Sequence, residues 1–393
     1  MTFFKRKIEG ELLKLTTGYP VVTVVGPRQS GKTTLVRRAF PNKPYVNLES
    51  PDVRELAQTD PRGFLEPYER DGAIFDEIQR VPSLLSYIQV LVDERRKTGM
   101  FILTGSHQLE LHQAISQSLA GRTALLHLLP MSLTELSEAG FKLPLDELLL
   151  KGGYPRIFSH NLEATSAYRS YFQTYVERDV RQLMQVKDLT QFQRFVRTCA
   201  GRIGQPLNLE GLGSDVGVSA HTVKHWLSIL EASFVIVRLL PYYENFGKRL
   251  TKASKLYFTD VGLASYLLGI ETEQQMSRDP LRGHLFENLV VTELAKSRLN
   301  RGLDPNLYFF RDAHGNEVDV VYQAGRQLIP IEIKSSKTFT AEFLKPVRFF
   351  NDLVGERCGP GFVVYAGEHE QTVDVVKLVN YMHAGRLLAT PHG

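Results

Sequence analysis

Between Tyr19 and Pro130, short apolar runs at 21–25, 45–48, 73–75, 100–103 and 123–129 alternate with amphipathic stretches. The runs are apolar throughout rather than at every second position, which suits strands covered on both faces, as in a parallel sheet flanked by helices. The pattern predicts an α/β domain of five strands. From Ser132 to about Arg202 the pattern becomes helical, with a break at Gly152-Gly153-Tyr154-Pro155 and a charged helix around 171–183. That segment reads as a lid or a connecting bundle. Two short helical patterns separated by Gly217-Val218-Ser219 follow, and then β-rich stretches at 234–240 and 255–258, the order of a winged helix. Beyond Arg282 a helix over 285–296 leads into strands at 308–311, 318–323, 328–335 and 361–365, an α+β arrangement.

The 393 residues exceed what one hydrophobic core usually supports, and the patterning divides them at 1–131, 132–204, 205–275 and 280–393. The net charge of +4 permits a nucleic-acid partner without arguing for one, so the placement of the basic residues decides. Cys199 and Cys358 form neither a CxxC pair nor a disulfide framework, which favours a reducing compartment. Charged residues interrupt the first fifteen positions, and no segment has the ~18 consecutive apolar residues of a membrane span. A cytoplasmic protein with no membrane partner is expected.

The chemistry begins where the 21–25 run meets Gly26-Pro27-Arg28-Gln29-Ser30-Gly31-Lys32-Thr33-Thr34, followed by a helical stretch. This is GxxxxGK[ST] in its strand, loop and helix context. The two glycines allow a tight turn in which backbone N–H groups and a helix N-terminus face phosphates. Lys32 is expected to reach the β- and γ-phosphates and Thr33 to bind Mg2+. The 73–75 run ends in Asp76, placed to hold Mg2+ through water, and Glu77, placed to polarise the attacking water. The 100–103 run ends in Thr104 and Ser106, where a sensor of the γ-phosphate belongs. Arg122 is the first candidate for a transition-state arginine delivered from a neighbouring subunit, with Arg178 and Arg181 behind it.

In the middle module Leu209, Leu212 and Val216 mark one helical face, and Val223, Trp226, Leu227 and Leu230 the next. His221, Thr222, Lys224 and His225 fall off that second stripe, where a recognition helix presents side chains to a groove. Lys248, Arg249, Lys252 and Lys255 cluster in the expected wing as a phosphate-contacting patch. In the last module strand alternation puts Glu332 and Lys334 on one face. With Asp319 on the preceding strand and Glu287 on the upstream helix, this resembles the site of restriction-endonuclease-like domains, where carboxylates hold Mg2+ and the lysine helps activate water. Such domains also persist as DNA-binding or assembly modules.

The order of GPRQSGKTTL, IFDEIQ, LTGSHQ, SLAGRTALLHLLPMS, GGYPRIF, YFQTYVERDV, KLYFTDVGLASYLLG, LFENLVVTEL and EVDVVY…IEIKSSK resembles the bacterial and archaeal AAA-type ATP-binding proteins that carry a C-terminal domain of unknown function with a nuclease-like core. The resemblance spans nearly the whole chain. It implies an AAA+ type P-loop domain with a helical lid, and ATP with Mg2+ at Gly26, Lys32, Thr33, Asp76 and Glu77. Arg122 lies in the SLAGR segment. The expected function is a ring-forming ATPase that moves or remodels DNA. An ATP-gated nuclease and an ATP-dependent signalling switch that assembles proteins without DNA are the alternatives.

Overall fold

The computed structural model describes residues 3–106, 118–176, 189–242 and 253–388. The first layer is a five-stranded, all-parallel sheet in the order β2-β3-β4-β1-β5, with β1 Val21–Val25, β2 Tyr45–Asn47, β3 Ala73–Asp76, β4 Phe101–Gly105 and β5 Thr123–His127. Every residue of β1, β3 and β4 is buried, as their apolar runs require. Successive side chains of β1 feed two cores. Val22 and Val24 meet Leu35, Val36 and the helix Glu9–Gly18, while Val21 and Val25 meet Phe75, Phe101 and the helix Leu84–Arg95. The carboxyl ends of β1, β3 and β4 therefore open onto one rim, where ligands of α/β sheets bind.

The largest core of the rest of the chain draws residues from Met131 to Leu388, with two smaller clusters around Phe310 and Phe350 and around Val347 and Val363. It takes in the connector, three helices (Leu189–Ala200, Leu209–Val216 and Ala220–Ala232) and the C-terminal sheet. Gly217 makes the expected turn with φ +82°, a left-handed conformation that glycine adopts without strain, and Ser219 caps the following helix. Trp226 packs on Phe192 and Phe195 with ring centroids 5.5 and 5.2 Å away.

The second sheet has eight strands in the order β12-β13-β11-β10-β9-β8-β6-β7. Its members are β6 Ile236–Pro241, β7 Lys255–Phe258, β8 Leu307–Arg311, β9 Glu317–Ala324, β10 Gln327–Lys334, β11 Gly361–Tyr365, β12 Gln371–Val373 and β13 Val376–Asn380. The β6–β7 hairpin does not stand apart as a free wing, because β6 also pairs in parallel with β8. Helix Arg282–Leu299 lies against this sheet with Leu285, Phe286, Leu289, Val290 and Leu294 buried. Among the described residues no helix is long and apolar enough to cross a membrane.

A chain of buried polar groups ties the two bodies together. The Arg6 guanidinium donates to the carbonyls of Ser30, in the glycine loop, and Leu129 at 2.6 and 2.7 Å and pairs with Glu135 at 3.1 Å. Next to Glu135, the backbone N–H of Leu133 donates to Glu293 at 3.0 Å, and Lys296 donates to the Met131 carbonyl at 3.2 Å. Burial pushes the Glu293 carboxyl up from 4.5 to about 7, against the pull of Lys296 and of the Leu133 N–H. Between those values the folded protein holds a proton that the unfolded chain has released, so this residue's contribution to stability falls as pH rises from about 4.5 to about 7. Glu293→Gln is expected to remove that part of the slope and to gain about 1–3 kcal/mol on wild type at pH 8 relative to pH 4.5. Urea midpoints across that range check it, and parallel curves for the two proteins would contradict it.

Candidate functional site

The glycine loop leaves β1 and enters the helix Lys32–Ala39 through backbone positions that few residues tolerate. Gly31 sits at φ +95°, and a Cβ on Gly26 would run into the Leu128 carbonyl. Gln29 is held at φ +62°. The Lys32 ammonium, 4% exposed, lies inside the loop and donates to the Gly26 and Pro27 carbonyls at 2.9 Å each.

Thr33 donates to the Asp76 carboxylate at 2.9 Å, Tyr45 reaches it at 2.6 Å, and Thr104 also donates to it. The hydroxyl of Thr33 beside a carboxylate at the strand end is a hard-oxygen donor set that fits Mg2+. Glu77 follows at φ +58°, a left-handed position that costs a non-glycine residue of order 1–2 kcal/mol, here at a chemical site. Ser106 donates to its carboxylate at 3.0 Å, and Gln79 donates to it as well. Burial pushes the Glu77 carboxyl up, but Lys32, Arg28 and these two donors outweigh burial and hold it below the usual range. The acid is therefore ionised at neutral pH.

A cavity of about 340 Å³ opens over the loop. Its walls include Arg28, Gln29, Thr33, Thr34, Lys32 and Glu77, all expected from the sequence, and also Phe3, Phe4, Arg6, Arg156 and His160, which were not. Arg156 comes from the short helix Pro155–Ser159, in the GGYPRIF segment, where the sequence points to no site residue. That turn is fixed by Gly153, whose N–H donates to buried Asp260 at 2.7 Å and whose carbonyl accepts from Met131 at 2.7 Å. The mixture of cations and aromatics suits a nucleoside polyphosphate.

Arg122 stands elsewhere. It precedes β5, which runs in register with β1 from Val21↔Thr123, so it lies at the amino ends of the strands, away from its own glycine loop. Its guanidinium grips Asp93 with two bonds of 2.6 and 2.7 Å. Arg178 and Arg181, with Lys248, Arg249 and Lys252, lie outside the described residues. Lys224 and His225 are exposed on the helix Ala220–Ala232, opposite buried Val223, Trp226 and Leu227.

Lys255 corrects the sequence reading. It is not part of a basic surface patch but 1% exposed, with its ammonium 3.1 Å from Glu287, 2.6 Å from Glu317 and 3.9 Å from Asp319. The whole strand is covered: β7 pairs with β6 under helix Arg282–Leu299, and all four of its residues are buried. The four acid-site residues named from the sequence do converge. Asp319 accepts from the Ile333 N–H at 2.8 Å, and Lys334 pairs with Glu332.

A parallel sheet that delivers a lysine-bearing glycine loop beside a strand-end acid pair is the construction of P-loop NTPases. Residues 18–137 match the model of an AAA domain, and this part of the chain is a P-loop NTPase domain of the AAA type. Residues 143–274 and 282–383 match two domains of unknown function, DUF8612 and DUF4143. The chain is 32% identical over 376 residues to the uncharacterized protein Rv2008c of Mycobacterium tuberculosis, covering 94% of this chain and 81% of that one. An uncharacterized protein of Haemophilus influenzae is 22% identical over 344 residues, covering 80% and 82%. The chain belongs to the family of Rv2008c. Among solved structures, the Walker-type ATPase paby2304 of Pyrococcus abyssi is 15% identical with a TM-score of 0.47, covering 67% of this chain and 96% of that one. AMPPCP-bound DnaA from Aquifex aeolicus is 14% identical with a TM-score of 0.30, covering 57% and 86%.

Proposed function

We propose that the protein is a Mg2+-dependent ATP hydrolase that self-assembles and uses its nucleotide cycle to act on DNA. The observation that carries the hydrolase reading is the ionised Glu77 carboxylate, held by Ser106 and Gln79 one residue from the Asp76–Thr33 pair. In this reading Lys32 and the loop N–H groups take the phosphates, and Thr33 and Asp76 hold the metal. Bound there, Mg2+ would neutralise charge on the phosphates. Glu77 orients the attacking water and accepts its proton, with Thr104 and Ser106 fixing the two acids. Arg156 and Arg6 supply further positive charge from the cavity wall.

DNA is the proposed partner because Lys224 and His225 project from the solvent face of a helix whose other face is fully packed, and because Lys248, Arg249 and Lys252 follow in the same module. Turnover measured alone and with duplex, single-stranded and branched DNA tests this. DNA is expected to raise the rate, with a response that weakens as salt rises. Identical rates in all conditions would overturn the DNA reading and favour a switch that assembles proteins. The ATP-gated nuclease draws on the convergence of Glu287, Asp319, Glu332 and Lys334, and buried Lys255 weighs against it.

A further inference from the structure

The carboxylate cluster of the C-terminal sheet contains a group that a metal-dependent site does not need. Glu317 and Asp319 lie two apart on β9, Glu332 and Lys334 two apart on β10, and Glu287 reaches in from the helix Arg282–Leu299. Alternation alone puts each strand pair on one face. Into the middle of Glu287, Glu317 and Asp319 the edge strand β7 inserts Lys255, whose ammonium also stands 5.4 Å from the centre of the Phe309 ring.

A buried lysine survives as a cation only where carboxylates surround it. Burial alone would lower the Lys255 value, yet Glu287, Asp319 and Glu317 hold it above the ordinary lysine range. Arg311 pairs with Glu317 at 2.9 Å and Lys334 with Glu332. Burial and the neighbouring Asp319 push the Glu332 carboxyl above the usual carboxylate range. Lys255 and Arg311 are thus the cations that face Glu287, Glu317 and Asp319.

Mg2+ does not fit this arrangement. It requires carboxylate oxygens at about 2.0–2.1 Å, and Glu287 Oε1 and Glu317 Oε1 are already taken by the ammonium. A divalent ion beside it would meet strong like-charge repulsion at low dielectric. Among the described residues no group of three or more His, Cys, Asp or Glu side chains is placed to hold a metal ion.

We propose that Lys255 is the resident cation of this cluster, standing where a divalent metal would otherwise bind, so that the C-terminal module works without metal and does not cut DNA. The inference is independent of the nucleotide site. It also predicts what lies beneath the ammonium. Without Lys255, the carboxylates of Glu287, Glu317 and Asp319 surround a space the size of one cation. Lys255→Ala should therefore create a divalent-cation site.

The test uses nucleotide-free, full-length protein and Mn2+ as the probe. The thermal midpoint of wild type should not respond to Mn2+ or EDTA through Asp319: any shift should be the same in Asp319→Asn. Lys255→Ala should lose roughly 5–10 °C. Mn2+ should restore part of that loss, and should fail to do so in Lys255→Ala/Asp319→Asn. Two results overturn the proposal: a wild-type response to Mn2+ that Asp319→Asn removes, or a folded Lys255→Ala protein that ignores Mn2+. If Lys255→Ala does not fold, wild type decides by a second measurement, incubation with supercoiled and branched DNA in Mg2+ or Mn2+. Intact DNA supports the proposal, and cleavage that Asp319→Ala abolishes refutes it.

Discussion

Glu77→Gln is expected to bind ATP with near wild-type affinity and to hydrolyse it at least ~10²-fold more slowly, while Lys32→Ala loses nucleotide binding altogether. The separation follows from where each group sits. A glutamine oxygen can still accept from Ser106 and Gln79, so the loop and the sensor strand keep their places, but an amide cannot take the proton of a water. Lys32 is different, because it is the cation inside the loop. Its removal takes the donor from the Gly26 and Pro27 carbonyls as well as the charge from the phosphates. Titration with a fluorescent ATP analogue, alongside phosphate release, distinguishes the two. Normal turnover in Glu77→Gln would remove that residue from the role of base.

Arg122→Ala is expected to leave ATP bound and to lower hydrolysis by a factor of order 10³, provided the chain is assembled. Arg122 cannot serve its own site, since it lies at the opposite ends of the strands from the glycine loop. In the proposed assembly it would act in a neighbouring subunit's cavity. To reach one it must exchange its two-bond pair with Asp93 for the nucleotide. Mixing decides the matter. Co-assembled Arg122→Ala and Glu77→Gln proteins should regain activity at interfaces where an intact Arg122 meets an intact Glu77. No recovery in a demonstrated mixed assembly would end the trans assignment.

The nucleotide site was legible because its parts are local. A strand, a glycine loop and a helix are contiguous, and the acids of β3 and the hydroxyls of β4 sit at strand ends, where a parallel sheet gathers them. The convergence of Asp319, Glu332 and Lys334 was legible for the same reason, through the period-two alternation of adjacent strands. Arg6 and Arg156 were not, since each reaches the cavity only after a distant segment folds over the loop: Arg6 through Glu135, Arg156 through the Gly153–Asp260 contact. Lys255 misled because a lysine close to Lys248, Arg249 and Lys252 reads as one more surface charge. Its burial depends on β6 pairing with β8 some seventy positions away, and no local pattern encodes that. The proposed boundaries at 204 and 275 gave no hint of the shared core for the same reason: apolar periodicity locates elements, not the partners they choose.

The helix that carries Arg156 to the nucleotide cavity is rooted in the same core as the eight-stranded sheet, through Ile157. Thermodynamic reciprocity gives that wiring a direction-free meaning. If bound ATP draws Arg156 inward and shifts the shared core by even a small population, whatever the distal modules grip is held more or less tightly by some factor. That same factor must then multiply the affinity for ATP when the distal ligand binds first. The cavity can thus be used as a reporter: a change in ATP affinity on adding a candidate partner identifies the partner without any assay of what it does.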